Sequence, residues 1–206
     1  MKVASLSGSS REGVGKKDAK DLRKEGRIPA VLYGGDNQVH LHLPEIALEK
    51  LVYNPDVFKI ELDLDGTVYN CIIRELQFHP VTDKILHVDL LQMFDDREIW
   101  VDIPVRTEGN SVGVRNGGRL AVNHRRLRLI GTPGSIPEYV MVDISDLDIG
   151  DVIRVREMNI EGARIAQADS DVVVGVKRTR AAMSAASGEE AEGEEAAEGA
   201  EEAAAE

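Results

Sequence analysis

The sequence predicts a mainly β protein with a few short helices: an N-terminal small β-barrel, a C-terminal β-rich domain and a disordered acidic tail. Three observations lead to this prediction. Short runs of alternating apolar and polar residues are separated by turn dipeptides, the pattern restarts after residue 94, and the chain ends in a segment without cations. The predicted boundaries are 1–94, 95–180 and 181–206. A chain of 206 residues is long enough for two small hydrophobic cores.

The elements of the barrel begin with a helix over residues 16–26 that stops at Gly26. Lys16, Lys20 and Arg23 share one face of this helix because they stand at i, i+4 and i+7. Such a face can simply be solvated and ion-paired. The Gly-Val-Gly stretch just before it favours phosphate binding, because glycine lets the backbone approach a phosphate and direct helix amides at it.

The rest of the barrel is predicted from alternation and turn chemistry. In order, the sequence indicates a strand over 30–33 that ends in a Gly-Gly turn, a strand over 39–43, a helix over 44–54, a hairpin over 57–78 that turns at Asp65-Gly66, and a strand over 84–93.

The second domain is predicted from the same signals. Strands are expected over 98–106, 119–130, 138–144, 151–158 and 171–178, with a one-turn helix and tight turn within 145–151. The strand over 119–130 is basic, since it carries Arg119, His124, Arg125, Arg126 and Arg128. We favour an exposed strand face over a nucleic-acid contact there, because any strand exposes alternate residues.

Composition excludes several classes of protein. Cys71 is the only cysteine, which rules out an intrachain disulfide and a four-thiolate zinc site within one chain. A buried hydrophobe is the expected role for it, rather than a nucleophile. The N-terminus lacks the apolar stretch of a signal peptide, and no apolar run approaches the length of a membrane span. We therefore expect a cytoplasmic protein that does not associate with membranes.

The formal net charge of −12 is distributed unevenly. Residues 187–206 hold nine Glu and no cation, so this segment repels itself and has too little apolar content to fold alone. Without those nine charges the remainder carries −3. Residues 1–35 hold eight cations against four anions, which makes the N-terminal edge basic.

His79, His87 and Asp89 are the candidates for metal binding or acid–base chemistry. His87 and Asp89 are two residues apart on one strand face and offer two ligands, whereas zinc requires at least three. The sequence has no nucleophile elbow, His-Glu-x-x-His helix or phosphate-cradling loop. We expect a non-enzymatic protein without metal or cofactor. A His and an Asp on an exposed sheet face also suit hydrogen bonds to base edges or ribose hydroxyls.

Two stretches together resemble a known family. REGVGKKDAKDLRKEGRIPAVLYGG (11–35), followed by QFHPVTDKILHVDL (77–90), closely resembles the bacterial large-ribosomal-subunit protein that binds 5S rRNA, in its two-domain CTC (general stress protein) form. The resemblance continues more weakly through GVRNGGRL (113–120), residues 136–155 and the Glu/Ala-rich tail. It implies a small β-barrel that docks, as a monomer, on the widened minor groove of 5S rRNA loop E in the ribosome.

The resemblance also implies which residues bind the RNA. It places phosphate-contacting cations at Arg11, Lys16, Lys17, Lys20 and Arg23, an aromatic at Tyr33, and groove-reading polar side chains at Gln77, His87 and Asp89. In the chain, Asp21 and Phe78 stand where some relatives carry cations, and each is expected to weaken the contacts. A different class stays open as an alternative: a stress-linked module whose second domain and acidic tail bind a protein partner.

Overall fold

The computed structural model describes residues 1–35 and 37–179 of the chain. The predicted acidic tail, 181–206, lies outside the described residues. The described part is mainly β with short helices, which confirms the predicted fold class. None of its helices is both long enough and apolar enough to cross a lipid bilayer.

The N-terminal strands close into a six-stranded barrel, as predicted. Its elements are β1 (Lys2–Ser10), α1 (Lys16–Lys24), β2 (Arg27–Tyr33), β3 (Val39–Pro44), α2 (Glu45–Val52), β4 (Phe58–Leu64), β5 (Thr67–Phe78) and β6 (Ile85–Gln92). The strand order around the barrel is β1-β3-β2-β6-β5-β4. The pairs β1–β4 and β2–β6 are parallel, and the other adjacent strands are antiparallel.

Aliphatic side chains fill the barrel. Its buried core consists of Leu6, Ile28, Ala30, Leu32, Leu41, Leu43, Leu48, Ile60, Leu62, Leu64, Cys71, Ile85, Val88 and Leu90. Cys71 is fully buried, which confirms its expected role as a core residue. Burial raises the pKa of its thiol to about 12, so the reactive thiolate is scarce at neutral pH.

Strand β1 was not predicted from the sequence. Only Leu6 of its nine residues is buried, so the strand lacks the apolar alternation that reveals β3 and β4. Pairing decides its position: Lys2 to Gly8 run parallel to residues 58–64 of β4 and close the barrel. At Gly8 a β-carbon would lie 3.0 Å from Leu43 and 3.1 Å from Leu64, so glycine permits this close approach.

The C-terminal strands form two sheets. The elements are β7 (Ile99–Glu108), α3 (Val112–Arg115), β8 (Arg119–Val122), β9 (Arg126–Gly131), β10 (Val140–Asp143), β11 (Val152–Arg154), a 3-10 turn (Val155–Glu157), β12 (Ala163–Ile165) and β13 (Val172–Lys177). The sheet orders are β10-β7-β9-β12 and β11-β13-β8. Among the described residues, those within 1–104, 127–140 and 160–166 form one compact unit by packing, and those within 105–126, 141–159 and 167–179 form another.

Three local predictions in this region are wrong. The strand expected over 119–130 is two strands in different sheets, because Asn123 and His124 donate to the Val173 carbonyl while the Arg125 carbonyl accepts from Val105. Residues 145–151 form turns instead of a helical turn, since aspartate side chains there bond to backbone amides in place of helical carbonyls. The strand expected over 151–158 ends at Arg154, and α3 and β12 were not predicted.

Candidate nucleic-acid interface

Four of the predicted site residues lie on the outer surface of neighbouring barrel strands. Because Val88 and Leu90 point into the core, His87 and Asp89 project outward from β6. Gln77 lies opposite His87 on β5. Tyr33 lies opposite Leu91 on β2, where the buried Leu32 precedes it. We call Tyr33, Gln77, His87 and Asp89 the polar face.

His87 and Asp89 form a hydrogen-bonded pair on this face. The His87 Nδ1 atom lies 2.8 Å from the Asp89 Oδ1 atom, and both side chains are partly exposed, at 26% and 32%. An Nδ1 atom that donates to a carboxylate carries a proton, so in the neutral ring the Nε2 atom is an acceptor. No three His, Cys, Asp or Glu residues in the described ranges are arranged to hold a metal ion. The pair is therefore suited to hydrogen bonding with a polar partner.

The predicted cations of α1 lie on the protein surface, and one of them is bonded to β6. Lys16, Lys17, Lys20 and Arg23 are all exposed, and no residue of α1 is buried. The Arg23 Nε atom donates to the Leu86 carbonyl at 3.1 Å, next to His87 in the chain. This bond joins the C-terminal end of α1 to β6, so among the predicted cations Arg23 lies next to the strand that carries His87 and Asp89.

The residues that depart from the family pattern have distinct surroundings. Asp21 accepts from the Lys24 Nζ atom at 2.7 Å, so it neutralises a neighbouring cation on α1. Phe78 ends β5 and is 42% exposed. Both positions border the surface that carries the predicted contacts.

Arg11 differs from the other predicted cations because its side chain is only 10% exposed. Its Nε atom donates to Asp18 Oδ2 at 2.6 Å, and its NH2 group donates to the Gly15 carbonyl at 3.3 Å. The Arg11 amide also donates to the His40 carbonyl. These bonds hold the loop that leads into α1.

Arg74 and Trp100 adjoin this site and were not found from the sequence. A bulge between Ile73 and Glu75 turns Arg74 outward from β5. The Arg74 NH1 group donates to the Trp100 carbonyl at 2.8 Å, and the guanidinium lies over the indole ring. Burial lowers the pKa of Arg74 from its ordinary value, and Tyr33, which shares a side-chain hydrogen bond with it, opposes that shift. Arg74 therefore contacts both Trp100 and Tyr33.

Arg128, from the predicted basic strand, has an intramolecular role. Its guanidinium makes two hydrogen bonds to the Asp102 carboxylate, at 2.8 and 3.1 Å, and lies 4.1 Å from the centre of the Trp100 ring. The residues predicted as one basic strand are divided between β8, β9 and the loop that joins them. For Arg128, this agrees with the exposed strand face that we favoured over a nucleic-acid contact.

Together these features define the class of protein: a small closed β-barrel that carries a cation-rich helix and, on neighbouring strands, an exposed polar face. Comparison with known proteins supplies the family. The Ribosomal L25p family model matches residues 6–90, and the model for the C-terminal domain of ribosomal protein TL5 matches residues 98–180.

Full-length relatives agree with both matches. The chain is 41% identical over 193 residues to large ribosomal subunit protein bL25 of Amoebophilus asiaticus, covering 94% of this chain and 97% of the relative. It is 43% identical over 188 residues to bL25 of Porphyromonas gingivalis, covering 90% and 98%, and 41% identical over 167 residues to bL25 of Bacteroides thetaiotaomicron, covering 81% and 85%. The chain belongs to the bL25 family of large ribosomal subunit proteins, and is a non-enzymatic structural constituent of the ribosome.

Proposed function

We propose that the chain binds 5S rRNA at the loop E region within the large ribosomal subunit, as a monomer in the cytoplasm. The observation that carries this proposal is the bond from Arg23 to the Leu86 carbonyl. It joins the end of the cation-bearing helix α1 to the strand that carries the His87–Asp89 pair, so phosphate-binding and hydrogen-bonding groups occur on connected elements. Structured RNA presents both kinds of partner together across its wide, shallow minor groove.

The two groups of residues have different tasks. Lys16, Lys17, Lys20 and Arg23 neutralise phosphates, together with Arg11 at the entry to α1, and so set position and affinity. The polar face reads base edges and ribose hydroxyls, which RNA exposes where pairing is irregular. Tyr33, which contacts Arg74, offers an aromatic surface at the edge of that face.

The test is a comparison of 5S rRNA with a generic RNA duplex of equal length. Lys16→Ala should weaken binding to both RNAs alike, because phosphate contacts carry no sequence information. His87→Ala or Gln77→Ala should narrow the difference in binding free energy between the two RNAs by about 1–3 kcal/mol if each contact is a good base-edge pair. Lys50→Ala, at an exposed position of α2, is the matched control.

Titration by fluorescence anisotropy at several salt concentrations supplies a second measurement. If five or six phosphates are neutralised, log K should fall with log salt at a slope of roughly −4 to −5, at ~0.9 per phosphate. Equal affinity of the wild-type protein for both RNAs would reject the proposal and favour the protein-interaction alternative. Loss of discrimination only in the Lys16 variant would reverse the assigned roles.

A further inference from the structure

A cleft of about 90 Å³ opens at one end of the barrel, outside the residues predicted to bind RNA except for Arg23. It lies where the end of α1, the start of α2 and the loop between β5 and β6 meet. Its polar groups come from Arg23, Arg27, Glu45, His79, Thr82 and Lys84, and Ile28 and Ile85 line its floor. A single water needs ~10–15 Å³, so the cleft can admit a group of several atoms.

The charge balance of the cleft favours an anion. Arg23, Arg27 and Lys84 are cations, whereas Glu45 is the one carboxylate among the lining residues. Ile28 and Ile85 are at most 2% exposed, so the floor is the apolar core. Cations in a concave site with low-dielectric walls attract an anion more strongly than the same charges on a flat surface.

His79 adds a fixed hydrogen-bond donor. Its Nδ1 atom accepts from the Val81 and Thr82 amides, at 3.3 Å each. A ring nitrogen that accepts carries no proton, so in the neutral ring the proton is on Nε2. The loop is held by bonds from the His79 amide to the Lys84 carbonyl at 2.8 Å and from the Asp83 amide to the His79 carbonyl at 3.0 Å.

The two arginines are oriented before a ligand arrives. The Arg23 Nε atom donates to the Leu86 carbonyl, which leaves the terminal nitrogens of the guanidinium as donors for an anion. The Arg27 NH1 group lies 2.9 Å from the His42 Nδ1 atom. Because Arg23 also belongs to the cation group of α1, the cleft is continuous with the proposed interface.

We propose that this cleft binds a backbone phosphate of the RNA and so extends the interface around the end of the barrel. The inference rests on the proposed function, since it assigns an additional contact to the same ligand. It gives Lys84, Arg27 and His79 a role that the sequence did not indicate. It also makes Glu45 an unfavourable neighbour of the bound phosphate.

The experiment uses the full chain and compares Lys84→Gln, Lys84→Arg and Glu45→Gln with the control Lys50→Gln. Binding to 5S rRNA is followed by fluorescence anisotropy between 50 and 200 mM salt. Lys84→Gln should lower the magnitude of the slope of log K against log salt concentration by ~0.9. Between 50 and 200 mM salt, the variant should therefore lose about 3-fold less affinity than the wild type. Lys84→Arg should restore the slope, and Glu45→Gln should tighten binding.

The same measurements can overturn the proposal. If Lys84→Gln matches Lys50→Gln while the wild-type protein still prefers 5S rRNA, the cleft does not contact RNA and the proposed function stands. Failure of the wild-type protein to prefer 5S rRNA would instead reject the proposed function. Amide shifts of His79 and Lys84 with inorganic phosphate, without any effect of Lys84→Gln on RNA binding, would identify a site for free phosphate and reject the RNA contact.

Discussion

His42 illustrates how single residues on the barrel surface respond to their neighbours. Its Nδ1 atom lies 2.9 Å from the Arg27 NH1 group. Burial, followed by the positive charge of Arg27, lowers the pKa of His42 below its ordinary value; Arg11 adds to this effect and Asp18 opposes it. The folded state therefore binds a proton at His42 less readily than the unfolded state does.

This shift predicts a dependence of stability on pH. The stabilising contribution is complete above the unfolded pKa of about 6.5 and is lost as the pH falls through the lower pKa of the folded state. His42→Asn keeps an acceptor near the position of Nδ1 without a titrating ring, so it should reduce the loss of unfolding free energy between pH 7 and pH 5. Urea unfolding at each pH measures this, with His40→Asn as the control. Parallel curves for the wild type and His42→Asn would contradict the prediction.

Among the secondary-structure elements, β5 has a bulge at which Arg74 contacts both strand β7 and the polar face. The bulge turns Arg74 outward, where the guanidinium contacts Trp100 of β7 and shares a hydrogen bond with Tyr33 of β2.

The helix α1 also depends on contacts with the rest of the barrel, because it has nine residues and none is buried. A helix of that length is not stable alone, so the bond from Arg23 to Leu86 and the stop at Gly26, with φ of 72°, define where its cations stand.

The role assigned to Arg74 can be tested by a double-mutant cycle. Arg74→Met keeps an unbranched apolar side chain and removes the hydrogen bond to Tyr33, and Tyr33→Phe removes the same bond from the other side. Each should weaken binding to 5S rRNA by about 1 kcal/mol, and the double variant should cost little more than either single one. Anisotropy titrations measure the four proteins. Additive losses would mean that Arg74 contacts the RNA directly and does not act through Tyr33.

At the scale of the whole molecule, all six strands of the barrel lie within residues 1–92, so no later segment is needed to close it. We therefore expect residues 1–94 to fold alone and to keep most of the affinity for 5S rRNA. A fragment of residues 1–104 should bind more tightly, because it retains Trp100 as the anchor of Arg74.

The thiol of Cys71 reports on the folding of both fragments. It is fully buried and has a pKa of about 12, so a thiol reagent should label it slowly in a closed barrel and rapidly after urea unfolding. Slow labelling with weak RNA binding would place essential contacts after residue 104. Rapid labelling of the 1–94 fragment in buffer would mean that the barrel depends on later residues.

Features that depend on nearby residues follow from the amino-acid sequence alone. The β4–β5 hairpin follows from its Asp65-Gly66 turn, where both residues have positive φ, and α1 follows from its stop at Gly26. The barrel strands with regular alternation were predicted for the same reason. The candidate cations and the His87–Asp89 pair were also predicted, because the residue types and their spacing are local and match a family motif.

Only the tertiary structure decided the features that depend on pairing between distant residues. Strand β1 has a single buried residue, and its register comes from β4, more than 50 residues away. The contact of Arg74 with Tyr33 and Trp100 requires a bulge and the order of three strands. The cleft that Lys84 lines requires two helices and a loop to meet at one end of the barrel. Periodicity specifies which face of a strand is buried. It does not specify the partner strand or the register, because closure of the barrel selects both by burying the core and satisfying the backbone hydrogen bonds of every strand.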